Sequence, residues 1–244
     1  MRTPMLVAHR GEEYLAPEHT FSSYDLCRDA GIEYLELDVR QSKDGRLFSF
    51  HDEDVMRITG DPDRFCTLDS ESIRALDAGS WFSSAFAGER IPMLEEIFDR
   101  YAKSMAFFFD VKEGTDEDVL VELIRQQSIT GSSFFWFSDH RQRDRFRYIY
   151  PDFRIKENCS TVDDLSTLQM SMTPDIVECP PEACSGPLGR YCVRHGIELM
   201  TSLHECSHDQ VGHMISCNVT YINTARPLEC KETVDGILTA AGLK

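Results

Sequence analysis

Residues 6–39 read LVAHRGEEYLAPEHTFSSYDLCRDAGIEYLELDV: a short apolar run, an amphipathic stretch opened by Thr20, and a second apolar run. The two runs, 6–9 and 34–39, have strand length. The stretch 20–30 has helix length, and the Thr20 hydroxyl is placed to cap it. The same alternation continues down the chain, with further strands expected at 107–111, 134–138, 153–156, 175–178, 197–201 and 220–223. Further helices are expected at 92–103, with Pro92 in its first turn, and at 116–127, whose early acids suit a helix N-terminus. Strand–helix alternation implies a parallel sheet, and eight repeats imply closure. The expected fold is α/β, a (β/α)8 TIM barrel formed as one domain over residues 1–244.

One segment departs from the alternation. Residues 36–51, ELDVRQSKDGRLFSFH, read as two alternating strands about an Asp44-Gly45 turn. Glu36 and Asp38 are two apart and share a strand face. A turn centred near Lys43-Asp44 would set Glu36 opposite His51 and Asp38 opposite Ser49, gathering two carboxylates and an imidazole. Residues 52–95 are long for a connection and contain Gly60-Asp61-Pro62 and Gly79-Ser80-Trp81, with one helix expected at 70–78. They are read as an insertion beside the barrel mouth.

The chain of 244 residues is 41% hydrophobic and 27% charged, which suits a globular barrel. Its formal net charge of −17 repels a phosphate backbone, so nucleic acid is not an expected partner. The longest apolar runs, such as 105–109, are too short to span a bilayer. Arg2 and Pro4 lead straight into the first strand, unlike a signal peptide. A cytoplasmic location without stable membrane association is expected. The 9 cysteines are odd in number and form no CxxC pair, so reduced thiols are expected. His204, Cys206, His208 and His213 lie close together, but their spacing matches no zinc pattern.

His9-Arg10-Gly11 ends the first strand, where barrel residues face the mouth. A histidine moves protons near neutral pH, and Arg10 offers a planar fork for phosphate oxygens. Glu36 and Asp38 interrupt an otherwise apolar strand. Such carboxylates are costly to bury unpaired, and a hard divalent cation resolves that cost. Asp110 and Lys112 share one face at the end of another strand.

Taken in order, His9-Arg10-Gly11, Pro17-Glu18-His19-Thr20, Glu36-x-Asp38, the hairpin with His51-Asp52, and Asp110-x-Lys112 resemble the glycerophosphodiester phosphodiesterase family. Leu76-Asp77-Ala78-Gly79-Ser80 and Ile91-Pro92-Met93-Leu94-Glu95-Glu96 extend the resemblance, and Ile222-Asn223-Thr224-Ala225-Arg226-Pro227 continues it more weakly. The resemblance implies hydrolysis of a glycerophosphodiester to sn-glycerol 3-phosphate and an alcohol. It implies His9 and His51 as the acid/base pair and Glu36, Asp38 and Asp110 as ligands of one divalent cation, Mg2+ or Ca2+. Arg10 and Lys112 would bind phosphate. Lysophospholipase D or sphingomyelinase D chemistry, and a barrel that binds without turnover, remain alternatives. Four departures bear on the substrate. His19 replaces the family's Asn, a change expected on the site rim. Asp110 stands where Glu is common in the family, although the venom-type sphingomyelinase branch also carries Asp there. Met200-Thr201-Ser202-Leu203 replaces WTVN, and Thr224-Ala225 replaces the late TD. Few exposed apolar loops are expected, which disfavours a membrane-facing substrate.

Overall fold

The computed structural model describes residues 3–243, so Arg2 lies outside them. The strands are β1 (Met5–Ala8), β2 (Tyr34–Gln41), β3 (Leu47–Ser49), β4 (Ala106–Val111), β5 (Ser133–Phe137), β6 (Arg154–Asn158), β7 (Ile176–Cys179), β8 (Glu198–Ser202) and β9 (Tyr221–Thr224). All but β3 pair in parallel, in the order β1-β2-β4-β5-β6-β7-β8-β9, and β9 returns to β1. The sheet is therefore the expected closed eight-stranded barrel. Each expected strand forms within two residues of its expected bounds. The helices are α1 (Phe21–Asp29), α2 (Met56–Thr59), α3 (Ser70–Ala75), α4 (Leu94–Tyr101), α5 (Glu117–Gln126), α6 (His140–Ile149), α7 (Val162–Ser171), α8 (Gly186–His195), α9 (His208–Ser216) and α10 (Pro227–Ala240).

The period of two in the strands sorts their side chains into two layers. Leu35, Leu37 and Val39 of β2, with Phe107, Phe109 and Val111 of β4, point outward into the main core shared with the helices. Tyr34 and Phe108 point inward and join Val7, Phe134, Ile176, Met200 and Tyr221. Their rings fill the barrel: Phe108 stacks on Phe134 at 4.6 Å, and Tyr34 meets Tyr221 edge-on at 5.3 Å. On β2 and β4 the inward positions above this aromatic floor are Glu36, Asp38 and Asp110. The fold thus supplies a dry base and lifts the carboxylates to the C-terminal mouth, where such barrels place their chemistry.

Thr20 caps α1 by accepting the Ser23 N–H, as expected. Pro92 does not begin α4. Its carbonyl accepts the Ser49 N–H, Met93 bridges Phe48, and the helix starts at Leu94. The α3 helix stops at Ala75 because Leu76 is extended, at φ −67° and ψ 147°.

The hairpin forms one residue out of the expected register. Val39 pairs with Ser49, Arg40 with Phe48 and Gln41 with Leu47. The cause is the turn. Gly45 donates to the Ser42 carbonyl, takes φ +86°, and leaves Ser42 to donate to the Arg46 carbonyl. That is a three-residue loop with a left-handed glycine, one residue longer than a two-residue turn. A one-residue slip changes which side chains share a face, so neither Glu36 with His51 nor Asp38 with Ser49 is a cross-strand pair.

Beyond the hairpin, Phe48, Phe50, Val55, Ile58, Phe65, Ile73, Ala78 and Ile91 make a separate small core under residues 52–93. Asp77 pins this segment by accepting the N–H groups of Gly79, Ser80 and Gly88. Tyr14, Leu15 and Trp81 are exposed on loops, contrary to the expectation of few apolar loops. Among the described residues, no helix is long and apolar enough to cross a membrane.

Candidate active site

A cavity of about 820 Å³ opens at the C-terminal ends of the strands. His9, Glu36, Asp110, Trp136, Lys156, Glu178 and Asn223 are among its lining residues. His51 is not. It sits just past β3, where Arg40 clamps its carbonyl with two hydrogen bonds of 2.9 and 2.7 Å.

The two histidines are prepared alike. His9 Nδ1 lies 2.5 Å from Glu13 Oε1, and His51 Nδ1 lies 2.7 Å from Asp52 Oδ1. A carboxylate on Nδ1 fixes ring orientation and favours the proton on that nitrogen. Burial lowers the His9 pKa, but the Glu36 charge and the Glu13 hydrogen bond outweigh it and raise the group to about 9.

Glu36 and Asp38 are 2% and 1% exposed, so they are like charges in a place that disfavours both. The site splits them. Burial and the nearby Asp38 charge raise the Glu36 pKa to about 8. Burial alone would raise Asp38 too, yet its partners hold it well below the usual range. Those partners are His19 Nε2 at 2.8 Å, Lys112 Nζ at 2.5 Å and Arg10 Nε at 3.2 Å.

His19 is therefore not on the rim. It is 3% exposed and lies beneath the site. Burial lowers its pKa, which favours the neutral ring. Its Nε2–H donates to Asp38, and Nδ1 meets the hydroxyls of Tyr24 and Ser49 at 2.8 and 2.9 Å. The motif PEHT gave no sign of this, because the loop's descent is set by a left-handed His19 at φ +53°.

Lys112 ties Asp38 to Asp110, whose Oδ2 it meets at 2.8 Å. Asp110 Oδ1 is buried without a hydrogen-bond partner. Arg10 Nε is likewise unpartnered as a donor, since its contact with Asp38 is an ion pair without an aligned hydrogen bond. Among the described residues, ligand atoms of His19, Glu36 and Asp38 lie within 4.8 Å of one another. A network of ion pairs couples the two histidine loops. Glu18 binds Arg10 at 3.3 Å and Arg57 at 2.7 Å, and Arg57 binds Asp52 at 2.7 Å.

Sequence reading missed a second polar set on the opposite wall. Lys156 of β6 lies 2.5 Å from Glu178 of β7, and Ser202 of β8 donates to Glu178. The available signal was position: each stands within the last three residues of its strand. The His204–His213 group does not converge. His204 lines the cavity, Cys206 is buried against Thr224, and His213 meets the Cys184 carbonyl at 3.0 Å.

The β1–α1 loop holds His9 and Arg10 in place through Gly11. At φ +95°, an added Cβ would lie 1.9 Å from Ser23 Oγ in the first turn of α1. Gly11→Ala is expected to cost about 2 kcal/mol, or about 4–8 °C in Tm. A thermal melt checks this; an unchanged Tm would mean that the loop and α1 have room to separate.

The match to known proteins follows the same residues. Residues 9–175 match the model of the Glycerophosphoryl diester phosphodiesterase family. The chain is 35% identical over 151 residues to YhdW of Bacillus subtilis (strain 168), covering 60% of this chain and 62% of that relative. The chain thus spans about three fifths of that relative's length. It is 28% identical over 235 residues to the glycerophosphodiester phosphodiesterase of Caldanaerobacter subterraneus subsp. tengcongensis, covering 91% and 94%. The crystal structure of the glycerophosphodiester phosphodiesterase from Agrobacterium tumefaciens superposes with a TM-score of 0.87 at 28% identity, covering 93% of this chain and 99% of that one. With the family match covering more than half of the residues, and His9, Arg10, Glu36, Asp38, His51, Asp110 and Lys112 all inside it, the chain belongs to the glycerophosphoryl diester phosphodiesterase family.

Proposed function

We propose that the protein hydrolyses glycerophosphodiesters to sn-glycerol 3-phosphate and an alcohol, with one divalent cation, Mg2+ or Ca2+. The observation that carries this is the buried carboxylate group at the mouth, Glu36 and Asp38 beside the unpartnered Asp110 Oδ1. Three oxygen donors, two of them in electrostatic conflict, suit a hard cation. Glu36, Asp38 and Asp110 would hold it, with His19 orienting Asp38. Bound there, it would polarise a phosphoryl oxygen.

The chain's own groups do the rest. Arg10 Nε offers an unused donor to a phosphate oxygen, and Lys112 holds Asp38 and Asp110 while lending its charge. One histidine Nε2 takes the proton of the attacking oxygen, and the other gives a proton to the leaving alcohol. The attacker is water or a neighbouring hydroxyl of the substrate. Glu13 and Asp52 keep the two rings oriented and stabilise whichever becomes protonated.

The test is release of sn-glycerol 3-phosphate from glycerophosphocholine by the purified protein. EDTA is expected to stop release, and added Mg2+ or Ca2+ to restore it. Release undiminished by EDTA would remove the cation from the mechanism. A second reading has its own observation: Tyr14 and Leu15 are both 56% exposed on the β1–α1 loop, and Tyr14 lines the cavity. They could meet the acyl chain of a lysophospholipid. Faster turnover of lysophosphatidylcholine than of glycerophosphocholine would favour that reading.

A further inference from the structure

The wall formed by β6, β7, β8 and β9 carries polar groups that the hydrolytic mechanism does not use. Lys156 is 4% exposed, and its Nζ lies 2.5 Å from Glu178 Oε2 and 2.9 Å from Asn158 Oδ1. Two of its three N–H donors are thereby used. Ser202 occupies the other Glu178 oxygen. Asn223, cross-strand neighbour of Ser202, is 6% exposed, and its side-chain carbonyl is buried with no partner. Lys156, Glu178, Ser202 and Asn223 all line the same cavity as His9, Glu36 and Asp110.

Buried ion pairs add little stability compared with apolar residues of similar volume. An orphaned buried carbonyl costs stability outright. Such groups at the mouth of a barrel point to a ligand.

Their chemistry selects its class. Lys156 and Glu178 are paired with each other, so a charged ligand would meet both signs side by side, and each Glu178 oxygen already accepts one hydrogen bond. A trimethylammonium group would seek aromatic faces. The rings here are already faced by Lys156, whose Nζ lies 5.2 Å from Trp136 and 5.6 Å from Phe108. Lys156 keeps one N–H donor, and the Asn223 carbonyl has no partner. Neutral hydroxyls satisfy both.

We propose that Lys156, Glu178, Ser202 and Asn223 form a subsite for a pair of neighbouring hydroxyls on the substrate. The proposal rests on the phosphodiesterase reading above. The diol belongs either to the glycerol half or to a polyol leaving group, and two ratios separate these sources. The first is the affinity for glycerol 3-phosphate over that for inorganic phosphate, measured by calorimetry with Mg2+ present. The second is kcat/KM for glycerophosphoglycerol over that for glycerophosphocholine.

Two variants are compared with the wild type. The double variant Lys156→Met with Glu178→Leu removes the pair without stranding a charge. Asn223→Leu removes the lone carbonyl and leaves the pair intact. A fall of about tenfold to a hundredfold in the first ratio assigns the subsite to the glycerol half. A similar fall in the second ratio alone assigns it to a polyol leaving group. Both ratios unmoved in both variants would overturn the proposal, because a purely structural role weakens every ligand together. If the wild-type protein neither binds glycerol 3-phosphate nor turns over either diester, the phosphodiesterase reading itself fails, and this one with it.

Discussion

His51→Ala and His9→Ala are each expected to lower kcat about a thousandfold or more while leaving the protein folded. General acid and general base steps are typically worth 10²–10⁴ in rate each. Here the two rings carry the same preparation, a carboxylate on Nδ1, at 2.5 Å for His9 and 2.7 Å for His51. Neither ring is packed into a core, since their side chains are 34% and 36% exposed. Tm should therefore move little. The double variant should be scarcely worse than either single one, because groups that serve one proton-transfer sequence fail together. Glycerophosphodiester turnover measured beside a thermal melt separates loss of chemistry from loss of fold. Full activity in either variant would end the two-histidine mechanism. His51 is the sharper test, because it lies outside the residues that line the cavity and reaches the substrate only if the Asp52–Arg57–Glu18–Arg10 network holds its loop over the mouth.

Some of the site was legible in the sequence and some was not, for reasons that differ residue by residue. Glu36 and Asp38 stood out because carboxylates at alternate positions interrupt an apolar strand, and the period of two alone places both inside the barrel. Asp110 and Lys112 stood out for the same reason. The hairpin register did not, because it depends on whether Gly45 belongs to the turn or to the strand. That single residue moves His51 off the face assigned to it. His19 was invisible in another way. Its motif marks a loop, and only the left-handed backbone at His19 sends the ring beneath Asp38. Lys156 and Glu178 are lone polar residues in the short strands RIKEN and IVEC, and a lone polar residue is common in any strand. Parallel pairing of the neighbouring strands β6 and β7 brings them together across 22 residues of sequence. Of the six buried side-chain atoms without partners among the described residues, three belong to the groups discussed above: a donor on Arg10, an acceptor on Asp110 and an acceptor on Asn223.

Glu36→Gln is expected to abolish turnover and, in the chelated protein, to raise the melting temperature. Glutamine keeps an acceptor for the Arg10 N–H, which Glu36 now binds at 2.9 Å, so the local geometry survives. What disappears is a charge that the folded state resists. Burial and Asp38 hold the Glu36 proton on up to about pH 8, whereas an unfolded glutamate releases it near pH 4.3. Between those values the folded state binds more protons than the unfolded one, so stability falls as pH rises through that window and levels off above it. The variant should lack that slope. A cation that binds only the folded protein acts in the opposite direction, stabilising it by RT ln(1 + [L]/Kd). At pH 8 the wild-type Tm should therefore rise when Mg2+ or Ca2+ is added after chelation, and the Glu36→Gln Tm should not. Melts with and without metal, run beside turnover assays, read both effects. A variant that kept its metal-induced shift would move the cation away from Glu36. A variant that was both inactive and less stable than chelated wild type would show that Glu36 serves the fold, and the functional cost of burying it would need another cause.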